Sequence, residues 1–192
     1  MPATWKSALA PLALALLVPT TACSDADSSA KENGTRDDGT QTLASALASD
    51  NDLRSLQAAV ERSDLSGVFD GPASYTVLAP DDAAFEALGD EGETLLEADQ
   101  RPILVAILRD HLLPGHLTPE TIGEAIERKG GPVTMTTLGQ TEVSFSRSGD
   151  DIVVSSGDGT TAQFAGAAIA TNNGVIIPID TVLLPPRQDT AS

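Results

Sequence analysis

Hydrophobic side chains recur at helical spacing through the first half of the chain. Leu53, Leu56 and Val60 follow the capping residues Asp50 to Asp52 and fall on one helix face. The short segment Tyr75-Thr76-Val77-Leu78 is typical of a buried strand. Similar start signals predict three further helices, which begin at Asp81-Asp82, Pro102 and Thr118.

Beyond Gly130-Gly131-Pro132 the hydrophobic period changes from helical to two. This alternation predicts strands over residues 133–137, 141–146, 152–155, 162–168 and 175–180. Turn signals separate the first four of them at Gly139, Gly149-Asp150 and Gly157-Asp158-Gly159. A helical half followed by a strand-rich half predicts the α+β class with an antiparallel or mixed sheet.

The beginning of the chain is typical of an exported protein. Lys6 supplies one positive charge, and the apolar run over residues 8–18 is too short for a bilayer core, which needs about 20 residues. We therefore predict a signal peptide over residues 1–22. Residues 23–40, almost wholly polar with Ala as the only apolar type after Cys23, are predicted to form a flexible tether.

Cys23 is the only cysteine, and its position needs an explanation. Pro19-Thr20-Thr21-Ala22-Cys23 resembles the bacterial lipobox, in which small residues precede a Cys that becomes the lipidated first residue. In this interpretation lipid on Cys23 holds the protein on the outer face of the cell membrane. The alternative is ordinary cleavage after Ala22, which releases a secreted protein with a free thiol.

The composition indicates one acidic globular domain. The formal net charge is −17, and loss of Lys6 with the leader makes the mature chain one unit more negative. Such a chain repels phosphates and anionic lipids, so we expect no nucleic-acid binding and no membrane binding through charge. Aromatic residues make up only 3% of the chain, so the core must consist of aliphatic side chains.

Three segments resemble signature motifs of the fasciclin (FAS1) domain family. They are residues 75–85, beginning Tyr75-Thr76-Val77, residues 107–115 around His111, and residues 173–185, beginning Asn173-Gly174. They occur in the family's order, so residues 41–186 are identified as a FAS1 domain, followed by a tail at 187–192. The resemblance implies a wedge-shaped β-sandwich flanked by helices, and a bacterial FAS1 lipoprotein.

The same resemblance implies a function. FAS1 domains mediate cell adhesion by binding proteins, so we expect an unknown envelope or extracellular protein partner. Some bacterial members instead carry small hydrophobic ligands, which is the alternative. We expect no enzymatic activity and no cofactor, because nothing in the chain assembles a nucleophile, a base and oxyanion donors.

This sequence departs from the family at three places. Asp110 stands before His111 where the family has Tyr, and Ile177-Pro178 replaces His-Val in the closing motif. Proline cannot donate to a sheet ladder, so this strand should lie at an edge or carry a local break. The Asp-Ile pair of animal adhesion members is Ala168-Ile169 here, which argues against integrin-type recognition.

Candidate site residues come from the motifs, and we expect most of them to be structural. His111 shares the apolar face of Ile107 and Leu108, which favours a neutral core histidine over a binding residue. His111 with His116 matches no metal signature, and the acidic residues from Asp90 to Glu93 lack a calcium loop. Besides Cys23, the candidates are Thr76, Ala79, Pro80, Phe85, His111, Gly115, Asn173, Gly174 and Asp180.

Overall fold

The computed structural model describes residues 34–37 and 39–184. The helices are α1 Leu43–Ser49, α2 Arg54–Ser63, α3 Ser66–Phe69, α4 Asp82–Glu86, α5 Asp90–Leu95, α6 Arg101–Asp110 and α7 Pro119–Lys129, with a 3-10 turn at Ala98–Gln100. The strands are β1 Thr35–Asp37, β2 Tyr75–Pro80, β3 Leu112–Pro114, β4 Val133–Thr136, β5 Glu142–Ser148, β6 Asp151–Ser156, β7 Thr161–Gln163, β8 Ala168–Thr171 and β9 Gly174–Ile179.

The strands form two sheets. The first is mixed, with five strands in the order β1-β8-β9-β2-β3. Within it β1 runs parallel to β8 and β2 parallel to β9, whereas β8 with β9 and β2 with β3 are antiparallel. The second sheet is wholly antiparallel, in the order β4-β5-β6-β7. Helices together with mixed and antiparallel sheets confirm the predicted α+β class.

Two neighbouring interior strands of the mixed sheet, β9 and β2, are buried on both faces. Val77 and Ile176 point into a cluster with helices α1, α2 and α6, where Leu43, Leu56 and Leu108 lie. The alternate residues of these strands enter a second cluster between the two sheets and α7. Its members include Leu78, Ile177, Ile126, Phe145 and Val154. The expectation of a wholly aliphatic core is wrong for the phenylalanines, since Phe69 and Phe145 are the largest fully buried side chains. Burial on both faces explains why β2 and β9 read as mainly apolar segments without a polar–apolar alternation.

Local signals fix the ends of the helices. Thr118 caps α7, because its hydroxyl accepts from the amide of Thr121 and the Thr121 hydroxyl accepts from the amide of Thr118. Pro119 then opens the helix, and Gly130 ends it in the left-handed conformation at φ +70°. Asp81 likewise caps α4 by accepting from the amide of Ala84.

One predicted strand was wrong in its extent. Residues 162–168 do not form one strand, because β7 ends at Gln163 and β8 begins at Ala168. Between them Phe164 makes a single bridge to Ile179, and Gly166 turns at φ +80°. The chain leaves one sheet and enters the other here, so a mainly apolar segment contributes to two strands in different sheets.

The prediction of a flexible tether over residues 23–40 is wrong for Thr35–Asp37, which form β1. The hydrophobic pattern gave no signal because β1 is held mainly by backbone pairing, and its side chains are exposed or half-buried. Cys23, the signal peptide and the tail at 187–192 lie outside the described residues. Within the described part of the chain, no helix has the length and apolarity required to cross a membrane.

Pro178 lies in an interior strand, and a local break in the pairing accommodates it. β9 is the third of five strands, but its pairing with β8 reaches only from Gly174 to Ile176. On the opposite side Pro178 stays in register with Ala79 of β2. Its carbonyl accepts from the amide of Ala165 in the loop before β8. The residue without an N–H therefore stands where the β8 ladder has already ended.

Candidate functional site

His111 lies at the C-terminal end of α6 and is buried, with 2% of its surface exposed. Its Nδ1 donates to the carbonyl of Ile107 at 2.8 Å, one helical turn earlier. Its Nε2 accepts from the backbone amide of Leu183 at 3.0 Å. The ring therefore joins α6 to the closing segment of the domain, and neither nitrogen is left for a ligand.

These two hydrogen bonds define the protonation state of His111. Nε2 faces an N–H donor, so the ring is the neutral tautomer that carries its proton on Nδ1. Burial lowers the pKa of His111 below its ordinary value, although the Ile107 carbonyl and the nearby Asp110 carboxylate favour the charged ring. A neutral, enclosed histidine has no route to act as a base on a bound substrate.

Thr76 and Gly115 lie together at the end of the mixed sheet. The buried Thr76 hydroxyl donates to the carbonyl of Gly115 at 2.9 Å and accepts from the amide of Leu117 at 2.8 Å. Gly115 has φ +102°, which a side chain would rarely adopt. The pair fixes the turn that connects β3 to α7.

Asn173 and Gly174 join the start of β9 to the helical layer. The Asn173 side chain accepts from the amide of Leu43 at 2.8 Å and donates to the carbonyls of Phe69 and Gly71 at 2.8 and 3.0 Å. A Cβ on Gly174 would lie 2.1 Å from the carbonyl oxygen of Tyr75. These motif residues thus hold three distant segments in contact.

The other motif residues also make internal contacts. Ala79 and Pro80 are buried at the end of β2, and Phe85 of α4 packs against two core clusters. Asp180 accepts from the amide of Gln163 at 2.8 Å and from the hydroxyl of Thr181 at 3.0 Å. The structure brings His111 to Leu183 near this segment but assembles no common pocket from the motif residues.

Catalytic and metal-binding chemistry finds no support among the described residues. They contain no group of three or more His, Cys, Asp or Glu placed to hold a metal ion. His116 is exposed on the loop after β3, whereas His111 is enclosed. The segment from Gly157 to Gly159 is the β6–β7 hairpin turn, with Asp158 accepting from the amide of Thr160.

Asp110 makes contacts that the sequence did not reveal. This buried residue accepts from the hydroxyls of Thr141 at 2.8 Å and Thr137 at 3.3 Å, both in the β4–β5 turn. A Cβ on Gly139 would lie 1.9 Å from the Asp110 carboxylate oxygen. The sequence shows that Asp110 replaces the family's Tyr, but no local pattern indicates that Thr137 and Thr141 are its hydrogen-bond partners.

A charged groove is open on the described surface. Two depressions of about 400 and 370 Å³ share Arg36 and Asp50 and so form one groove. Carboxylates line it from three separate parts of the chain, together with small residues of the loop before β8. The carboxylates are Asp37, Asp50, Asp52, Asp81 and Asp82.

Charged pairs and hydrogen bonds hold the walls of this charged groove in place. Arg36 pairs with Asp50 at 3.6 Å, and Arg54 pairs with Asp82 at 3.3 Å. Burial alone would raise the pKa of Asp82, but hydrogen bonds from Ser55 and Arg54 lower it overall. Asp82 is therefore ionised near neutral pH, which keeps the groove negative. Sequence reasoning missed the groove because its walls are far apart along the chain.

Comparison with known proteins decides the family. A family model for the fasciclin domain matches residues 51–185. The chain belongs to the fasciclin domain family. Protein sll1483 of Synechocystis is 30% identical to this fasciclin-domain protein over 176 residues, which cover 90% of this chain and 91% of the relative.

Two further similarities connect the fasciclin domain to surface proteins. The cell surface glycolipoprotein MPT83 of Mycobacterium tuberculosis is 31% identical over 114 residues, which cover 59% of this chain and 45% of MPT83. This chain thus matches about half the length of that relative. A solved FAS1 domain pair from the insect cell adhesion molecule fasciclin I superposes with a TM-score of 0.68 at 17% identity, covering 77% of this chain and 52% of that one. This match confirms the FAS1 fold.

The Ala168-Ile169 pair is enclosed in this fasciclin domain. Both residues are buried in β8, between β1 and β9. Neither residue carries a charge, Ala168 is fully enclosed, and Ile169 only reaches the wall of the groove.

Proposed function

We propose that this protein is an envelope-anchored surface module that binds another envelope or extracellular protein and catalyses no reaction. The fasciclin family supports a surface module of the cell-adhesion type. The similarity of this chain to a cell surface glycolipoprotein and to a cell adhesion molecule supports the location and the kind of function. A lipid on Cys23 would supply the attachment.

The observation that carries this proposal is the contrast between the enclosed motif residues and the open charged groove. The polar side chains of His111, Thr76 and Asn173 form hydrogen bonds inside the domain. The groove instead presents carboxylates and an exposed arginine to solvent. A surface of this kind suits a protein partner with basic and amide groups, because charged rims steer association and fix register.

Charged side chains in both depressions also weigh against the alternative of a hydrophobic-ligand carrier. Such a ligand needs a concave, mainly apolar cavity that buries most of its surface. Both depressions that form the groove include aspartates and an arginine in their lining. A protein-binding role therefore fits the described surface better than a carrier role.

Site-directed photo-crosslinking in the native host tests the proposal. A photoreactive residue in place of Ala83, which lines the groove, is expected to capture one discrete envelope or extracellular protein. The matched control is the same residue at Glu124 on α7, which is exposed but lines neither depression. Equal capture at both positions, or none at Ala83, would contradict binding through the groove.

Native mass spectrometry with an absorption spectrum separates the two functions. On protein purified from its host, we expect the mass of the chain with its lipid and no visible absorption band. A stoichiometric additional small molecule would reject the protein-binding proposal in favour of the carrier.

A further inference from the structure

A short polar segment of the chain covers the open side of β8. The carbonyl of Gly34 accepts from the amide of Ala168 at 2.9 Å, and Thr35–Asp37 then pair in parallel with residues Ala168 to Ala170. Beyond the strand the carbonyl of Gln41 accepts from the amide of Asn172 at 2.9 Å. We call Gly34–Asp37 the strap, because it lies along this edge and the chain after it bonds the edge again.

The strap is held by few contacts besides its backbone pairing. Thr35 donates to Glu120 at 2.8 Å, and Arg36 pairs with Asp50 at 3.6 Å while 59% of its side chain is exposed. The Thr35 and Arg36 side chains are not inserted into either large core cluster. A strand bound by its backbone and by surface contacts can leave the sheet without opening the core.

The edge beneath the strap has the composition of a strand that pairs readily with others. No charged residue or histidine occurs between Asp158 and Asp180, a run that contains β7, β8 and β9. Proteins protect such uncharged edges with charged residues or by covering them, since open ladder groups accept strands from other molecules. Here the strap provides both a cover and the charges of Arg36 and Asp37.

We propose that the strap is an edge guard, which occupies a strand-acceptor site on β8 and prevents two copies of this protein from pairing through that edge. Once the strap leaves, the β8 strands of two copies can pair antiparallel about a two-fold axis, because that symmetry brings the same edge of each copy together. The second copy is the favoured occupant because both edges are uncharged over this run. Loss of the strap also takes Arg36 away from Asp50 and Thr35 away from Glu120 beside the edge, so the two acidic edges repel each other and pairing should strengthen with salt.

Proline substitutions at neighbouring positions test this proposal. Backbone groups of alternate residues face the same neighbouring strand, so Arg36, like Gly34, directs its N–H and C=O towards β8, whereas Thr35 directs its own away. Arg36→Pro should therefore displace the strap. Thr35→Pro is the matched control, because it removes no ladder hydrogen bond and only the side-chain hydrogen bond to Glu120. Both are made in the chain from position 23 onward with Cys23→Ser, so that neither lipid nor disulfide affects the mass.

Hydrogen exchange and sedimentation provide the readouts. In dilute Arg36→Pro protein, the amides of Ala168 and Ala170 should exchange about ten times faster or more than in the parent. At higher concentration this variant should form dimers and regain that protection, while Thr35→Pro stays monomeric. Persistent protection of the β9 amides that bond to β2 reports that the domain is folded.

Three outcomes would overturn the edge-guard proposal. They are an Ala168 amide that already exchanges freely in the parent, an Arg36→Pro protein that stays monomeric at all concentrations with this edge open, and identical behaviour of the two proline variants. If Arg36→Pro does not fold, Arg36→Asp provides a second variant, because it displaces the strap by repulsion from Asp50 and keeps the N–H.

Discussion

Single residues in this fasciclin domain join segments that are distant in sequence. Asn173 bonds backbone groups of Leu43, Phe69 and Gly71, and His111 bonds Leu183 across the domain. Buried polar groups of this kind are costly when one partner is lost, because the other is left without a hydrogen bond. Such residues specify the fold. A recognisable motif can therefore reflect a structural role and need not mark a reactive centre.

Gly174 offers a direct test of close backbone approach. We expect Gly174→Ala to lower the free energy of unfolding by about 1–3 kcal/mol or more, because its Cβ would overlap the Tyr75 carbonyl oxygen and the Leu43 side chain. Gly157→Ala is the control, since the nearest atom to its Cβ would be 3.8 Å away. Urea denaturation measures both variants, and equal stability would contradict this account of Gly174.

His111 should make the domain less stable in mild acid. Its pKa is lowered in the folded state, so the unfolded chain binds the proton more readily. The stabilisation is fully present above the unfolded pKa of about 6.5 and is lost as the pH falls below it. The slope can reach about 1.4 kcal/mol per pH unit, because one proton separates the two states.

The measurement compares unfolding free energies between pH 7.5 and 5 for the parent, His111→Gln and His116→Ala. The glutamine cannot titrate, so its variant should lack the loss of stability below about pH 6.5. The exposed His116 is the matched control and should leave the profile unchanged. A parent profile that is flat over this range would show that His111 does not titrate as its burial predicts.

At the scale of elements, Asp110 fastens the β4–β5 hairpin to the end of α6. Its carboxylate accepts from Thr137 and Thr141, and the amide of Gly139 donates to the carbonyl of Arg109 beside it. We expect Asp110→Ala to cost about 1–3 kcal/mol, because two hydroxyl groups lose their acceptor. The double variant Asp110→Ala/Thr141→Val should lose about 1 kcal/mol less unfolding free energy than the two single variants lose together.

Denaturation of the two single variants and the double variant gives the coupling energy between Asp110 and Thr141. Exposed Asp99 in the 3-10 turn is the control, since Asp99→Ala should show no coupling with Thr141→Val. Additive effects of Asp110→Ala and Thr141→Val would mean that the hydroxyl contributes nothing to the fastening of the hairpin.

The elements differ in how far the sequence could predict them. Periodicity and caps located α6, α7 and β2, because their apolar faces and end signals are local in sequence. The same reasoning missed β1 and β3, which have three residues each and are defined by their neighbours in the sheet. It also joined β7 to β8, because hydrophobicity does not record that the chain changes sheets.

At the scale of the whole molecule, the sequence predicted the family and missed the surface. Three motifs predicted the fasciclin fold by their resemblance to the family, and each motif contributes side chains to both large core clusters. The charged groove could not be predicted, since it forms only where the strap, the α1–α2 loop, the start of α4 and the loop before β8 meet. No local pattern brings Asp37, Asp81 and Ala165 to one place, and only the tertiary fold does so.

We propose that the whole molecule is attached to the membrane through a single atom, the lipidated sulfur of Cys23. Two or three acyl chains on that residue give stable anchoring, because each buried methylene contributes about 0.8 kcal/mol. We expect Cys23→Ala to shift the protein from the membrane fraction to the medium, as measured by fractionation and immunoblotting of the host. Thr21→Ala is the control, since it keeps a small residue before the cysteine and should leave the protein in the membrane fraction. A Cys23→Ala protein that remains with the membrane would reject the lipid anchor. Binding through the groove would still depend on the separate crosslinking test.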